Sequence, residues 1–153
     1  ILISLKHFLM NKLATLILFF VPLFSFSQIE INWEILSDVK FTDTYMEEVD
    51  EYFLYPYFGA NVRSLEGQQV IIRGFVLAID PADGYYILSK SPYASCFFCG
   101  AGGPETVIEL KMKSEKDYFM MDEVVTMKGI FTLNSDDIYQ CNYILKQAEV
   151  HRR

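Results

Sequence analysis

The segment Cys96-Phe97-Phe98-Cys99-Gly100 brings two thiols within one turn of chain. It then runs into Gly100-Ala101-Gly102-Gly103-Pro104. Three chemistries use that spacing: a short disulfide, half of a soft-metal site, and a redox pair. A redox pair needs a helix N-terminus to lower a thiol pKa, and glycines followed by proline do not readily start a helix. A structural zinc site wants four ligands. Here the only further donors are Glu105 and Cys141, so zinc at Cys96 and Cys99 would be incompletely held. Copper(I) could sit between the two thiolates with thioether help from Met120 or Met121, although methionine is more often a core filler. A disulfide needs only an oxidising compartment and would contribute roughly 2 kcal/mol by closing so short a loop. The disulfide therefore leads, a zinc or copper site comes second, and redox catalysis comes last. Phe97, Phe98, Gly100, Gly102, Gly103 and Glu105 surround the pair and are the candidate contacts of the loop.

Little else in the sequence does chemistry. There are two histidines: His7 lies near the start and His151 near the end. Ser91 and Ser95 therefore have no histidine to activate them, and hydrolase chemistry lacks parts. Asp136 and Asp137 read as turn residues. The glycines at 100–103 are not followed by Lys-Ser/Thr, so no phosphate cradle is expected. The third cysteine, Cys141, alternates with Tyr139, Tyr143 and Leu145 and reads as a small core hydrophobe. The expectation is a protein that is not an enzyme and has no resident cofactor beyond that zinc or copper candidate.

The loop chemistry depends on the compartment. Met10-Asn11-Lys12 has the character of a start site. It is followed by an apolar run from Leu13 to Phe26 and small residues at Ser25 and Ser27. That is a secretory signal pattern, with cleavage expected before Gln28. The run is shorter than the ~20 residues a spanning helix needs, so no membrane insertion is expected after cleavage. The location expected is periplasmic or secreted. The formal charge of −7 becomes more negative once the leader, with its lysines and no acids, is removed. Such a surface repels nucleic acid and anionic lipid. The remaining partner class is a protein of the cell envelope.

The elements that must position the loop are short strands. Val70, Ile72, Gly74 and Val76 alternate with Ile71, Arg73, Phe75 and Leu77, which predicts one long strand with a central glycine bend. A turn at 80–84, a strand from Tyr85 to Ser89, the cysteine loop, and a strand from Thr106 to Met112 follow. In this last strand Ile108, Leu110 and Met112 face in, and Glu109 and Lys111 face out. Residues 114–122 read as a loop or a single helical turn. Glu123 to Leu133 is the next strand, and Gly129 echoes Gly74. A turn at 134–137 leads to a fifth strand from Ile138 to Leu145. Five strands with two glycine kinks predict a mostly β protein, a small OB-like Greek-key barrel over residues 67–150.

Residues 28–66 form a preceding cap segment. Ile29 to Trp33 reads as an extra edge strand. Thr42 to Leu54 reads as a helix, capped by Thr42 or Asp43, with Glu47 and Glu48 in its first turns. Pro56 ends it. Tyr52, Phe53, Tyr55, Tyr57 and Phe58 form an aromatic patch expected to cover one end of the barrel, with ligand stacking or partner docking as the alternatives.

Taken as a set, several segments carry a resemblance: Trp33-Glu34, Leu36-Ser37-Asp38-Val39, Tyr55-Pro56, Phe58-Gly59, Leu65-Glu66-Gly67, Pro92-Tyr93-Ala94, the Cys96–Gly100 loop, Gly103-Pro104-Glu105-Thr106-Val107 and Asp136-Asp137-Ile138-Tyr139. Together they resemble a group of small secreted Bacteroidota proteins with a domain of unknown function, the Cys-Phe-Phe-Cys-Gly loop being the most specific part. A wider set from other Gram-negative bacteria carries Cys-x-His-Cys and prolines at this loop, and is similar to companions of ABC-type export or metal-uptake systems. This chain has Phe98 in place of that histidine, which weakens a metal site. The resemblance implies a periplasmic accessory module with an OB-like barrel.

Overall fold

A computed structural model describes residues 28–47 and 49–152. The signal peptide expected over residues 1–27 lies outside the described residues. The chain is mostly β, with the strands β1 (Ile29–Glu30), β2 (Val39–Met46), β3 (Glu51–Phe58), β4 (Gln69–Asp80), β5 (Tyr85–Ser89), β6 (Val107–Met112), β7 (Glu123–Leu133) and β8 (Tyr143–Arg152). Single-turn helices α1 (Trp33–Leu36) and α2 (Ala60–Arg63) sit among the first strands.

Strands β4 to β8 close a five-stranded barrel in the order β4-β5-β6-β8-β7, with β7 returning to β4. The β6–β8 pair is parallel, and the other pairs around the barrel are antiparallel. This is the expected OB-like arrangement. Closure requires β4 to serve two neighbours, and it does so by halves: 69–76 pair with β7 and 75–80 pair with β5. Gly74 lies at the changeover. A Cβ there would stand 2.7 Å from the Ser89 carbonyl oxygen and 2.9 Å from the Leu88 side chain, so the strands approach too closely for any other residue. Gly129 plays the same part in β7, where a Cβ would lie 2.7 Å from both the Leu145 side chain and the Lys146 carbonyl oxygen. The sequence echo between these glycines is thus a shared requirement of barrel closure.

The barrel interior is filled by the inward rows Val70, Ile72 and Val76 of β4, Tyr86 and Leu88 of β5, and Ile108 and Leu110 of β6. Val125, Met127 and Phe131 of β7 and Tyr143 and Leu145 of β8 complete it. Phe119, from the loop between β6 and β7, is fully buried and meets Tyr86 edge-on at 5.2 Å. Leu36, Val62 and Leu65 of the cap segment belong to the same core. The Tyr143 hydroxyl donates to the Leu36 carbonyl at 2.7 Å and ties α1 to the barrel.

Three expectations are corrected. The helix expected from Thr42 to Leu54 is not present: residues 42–46 and 51–54 are strand. They lie in an antiparallel hairpin, with β2 and β3 in unbroken register from Val39↔Phe58 to Met46↔Glu51. The β-branched and aromatic residues of this stretch, paired across the strands, outweigh the capping signal of Thr42 and Asp43. Asp50 takes the left-handed conformation in the turn (φ 56°) and receives the Tyr45 hydroxyl. Pro56 is tolerated because a two-stranded ribbon has free edges.

The fifth barrel strand begins at Tyr143, not at Ile138, and runs on to Arg152. Residues 134–142 form a loop instead. The Asn134 side chain binds it by donating to the Asp137 carbonyl at 2.7 Å and accepting from the Asp137 amide at 3.0 Å. The third correction concerns Trp33, which starts α1 and does not extend β1. Asn32 caps that helix by accepting from the Ile35 amide at 3.0 Å.

Candidate functional site

β5 and β6 are the second and third strands of the barrel, whose outer face is the usual contact surface of OB-like proteins. Here that face is already covered. Leu77, Ile87 and Val107 point outward from β4, β5 and β6, and they form a second apolar cluster with Cys96. Tyr85, Phe97 and Cys141 pack around its edge. Burial on both faces explains why Tyr85 to Ser89 reads as a continuous apolar run without alternation. The cysteine loop is therefore a cover laid over the barrel wall.

Local hydrogen bonding shapes the loop. Cys96 and Cys99 bracket a 3₁₀ turn, in which the Cys96 carbonyl accepts from the Cys99 amide at 3.0 Å and the Ala101 amide at 3.2 Å. Gly100 ends the turn in the left-handed conformation (φ 76°), which suits glycine. The two thiols have different surroundings. Cys96 is buried (1% exposed), whereas Cys99 is exposed and its Sγ donates to the Tyr93 carbonyl at 3.0 Å. Partial desolvation, then the charge and hydrogen bond of Cys96, push the Cys99 thiol above its ordinary value. That is the opposite of an activated nucleophile. All three cysteines are unbonded thiols in this structure.

The remaining loop candidates divide by position. Phe97 packs against the second cluster and meets Phe98 edge-on at 5.4 Å, while Phe98 is half exposed. Gly102 lies under the Thr106 side chain, and Gly103 lies under the Glu105 carboxylate. Among the described residues, no group of three or more His, Cys, Asp or Glu side chains could hold a metal ion. Met120 and Met121, the candidate thioether donors, are largely exposed on the loop between β6 and β7.

A buried polar cluster beneath this cover escaped the sequence reading. Glu109, expected to face solvent, is 1% exposed. It accepts the Cys141 amide at 3.1 Å and forms an ion pair with Lys111. Burial, followed by the Glu109 charge, pushes the Cys141 thiol up to about 12. Cys141 is partly buried at the edge of the second cluster and is not in the barrel interior. Burial, then Cys141 and Glu109, also raise Tyr85. The one sequence signal was a carboxylate inside the otherwise apolar run Val107 to Leu110.

The hairpin, the cysteine loop and the loop between β7 and β8 enclose a groove of about 300 Å³. Met46, Phe53 and Tyr55 form one wall, Phe97 and Pro104 the second, and Ile138 the third. Tyr52 and Tyr57 of the aromatic patch are 72% and 58% exposed, while Phe58 packs on the core. The patch thus covers the barrel only in part and leaves aromatic surface beside the groove.

The geometry defines a small OB-like barrel with its usual face covered and a groove opened at one end. No protein-family model matches the sequence, and no curated protein matches it. Among solved structures, the chain is similar to the crystal structure of a DUF3299 family protein from Pseudomonas aeruginosa PAO1. The two are 11% identical with a TM-score of 0.49, over 83% of this chain and 98% of that one.

Proposed function

We propose that this chain is an exported, non-enzymatic binding or accessory module of the cell envelope. Its contact surface is the groove between the hairpin and the cysteine loop, and its partner is another envelope protein. The observation carrying this reading is how the apolar surface is distributed. The usual face is occupied by the chain's own loop, yet Tyr52, Leu54 and Tyr57 remain exposed beside a groove lined by Phe53, Tyr55 and Phe97. Exposed aromatic surface grouped around a concavity is typical of a contact site.

The resemblance to small secreted Bacteroidota proteins supports export. The wider set supports service to an ABC-type transport or metal-handling system. The competing reading, a thiol–disulfide or zinc- or copper-binding pair at Cys96 and Cys99, must contend with a buried Cys96 and a raised Cys99.

A photo-crosslinking residue placed at position 97 in living cells, with position 118 as control, tests the reading. Tyr118 is exposed on the loop between β6 and β7, at the other end of β6. Discrete adducts from position 97 and none from 118 are expected. Adducts from 118 alone, or from neither position, contradict it.

A further inference from the structure

A second concavity lies on the opposite edge of the barrel wall, and its lining differs from the rest of this acidic chain. A pocket of about 280 Å³ is bounded by Glu30, Arg73, Val124, Val125, Thr126 and Arg152. Three of these form one row across three strands: Arg73 of β4 pairs with Thr126 of β7, Thr126 pairs with Arg152 of β8 just past a bulge, and all three line the same pocket. Directly paired residues point to the same face, with Cα atoms about 5 Å apart. The Arg73 and Arg152 Cα atoms therefore stand about 10 Å apart, a gap that two arginine side chains are long enough to close over Thr126. Among the described residues, neither arginine forms an ion pair. The base of the row is rigid, since the Trp33 indole Nε1 donates to the Arg73 carbonyl at 2.8 Å.

We propose that Arg73, Thr126 and Arg152 form a binding site for a small tetrahedral oxyanion, a phosphate or sulfate group. Two unpaired guanidinium forks present parallel N–H donors that match such a group, and the threonine hydroxyl supplies a third donor between them. A planar carboxylate offers two oxygens in one plane, against the four tetrahedrally arranged oxygens of phosphate or sulfate, and so engages the three donors less fully. The surrounding negative charge, −7 overall, admits one compact anion and repels a polyanion. Glu30 on the rim opposes the ligand and sets the affinity low. The site is independent of the groove and of its partner.

The test is a titration of the isotope-labelled full-length protein with inorganic phosphate at low ionic strength, read by the amide shifts of Arg73 and Thr126. Saturable shifts are expected with phosphate, sulfate and a phosphate monoester, at least tenfold weaker binding with acetate, and none with a DNA oligomer. Arg73→Gln and Arg152→Gln should each weaken phosphate about tenfold or more. Glu30→Gln should strengthen it about threefold, because it removes a like charge from the pocket lining. All three side chains are exposed, so a thermal melt will show the variants folded. Linear, unsaturable shifts, phosphate affinity unchanged in both arginine variants, or acetate binding as tightly as phosphate would overturn the assignment.

Discussion

Replacing each loop cysteine by alanine separates a covering role from a clamping role. In the reduced protein, Cys96→Ala removes a sulfur packed among Leu77, Ile87 and Val107. The lost transfer energy of a group this size is about 0.8 kcal/mol, and a partly collapsed cavity raises the cost to about 1–2 kcal/mol. Cys99→Ala removes only an exposed thiol with a weak bond to the Tyr93 carbonyl, so its cost stays within about 0.5 kcal/mol. If the pair is oxidised, closure of the short loop adds about 2 kcal/mol, and either substitution loses that increment. The gap of about 1 kcal/mol between the two variants therefore persists in both redox states. Urea unfolding with and without dithiothreitol reads it directly, because a slope of about 2 kcal/mol/M turns the gap into a midpoint difference of about 0.5 M. Equal losses for both variants in the reduced protein would refute the seating of Cys96 in the barrel wall.

Three further outcomes follow from the packing. Gly74→Ala should destabilise the barrel by about 1–3 kcal/mol through overpacking against the Ser89 carbonyl and Leu88, read as a lowered melting temperature. Tyr143→Phe should cost about 1–2 kcal/mol in chemical denaturation, because the hydroxyl's bond to the Leu36 carbonyl is buried. The Cys141 thiol, ordinarily near 9 and held up to about 12 here, makes folding favour the protonated form. Its contribution is fully present below pH 9 and is lost as the pH rises towards about 12. Alkaline unfolding curves of Cys141→Ala should therefore fall less steeply over that window than those of the unaltered protein.

The barrel was largely legible from the chain because alternation and turn residues are local signals. β5 and β7 stand where the pattern places them, and Gly74 and Gly129 mark the positions where strands crowd. What misled was also local. Thr42, Asp43, Glu47 and Glu48 resemble a helix start, yet Thr42 and Asp43 belong to a strand with Val39, Phe41, Thr44 and Tyr45, which pair cross-strand with Phe58, Pro56, Phe53 and Tyr52. That pairing lies outside any short window. Residues 138–142 alternate like a strand, but the Asn134 side chain ties them into a loop by donating to the Gln140 and Cys141 carbonyls. The burial of Glu109 was hidden because it depends on where the cysteine loop lands. The cysteine pair itself was visible, but its asymmetry was not, since nothing in the spacing distinguishes the buried thiol from the exposed one.

The most direct measurement of the central claim, that the cysteine loop is a cover seated on the barrel by Cys96, is the alkylation of each thiol in the reduced, folded protein, followed by peptide mass spectrometry. Cys99 should react first. Cys96 should stay protected until the protein unfolds, and Cys141 should react slowly at its partly buried position. Labelling of Cys96 as fast as Cys99 would mean that the loop stands clear of the barrel, and the account built on it would fail.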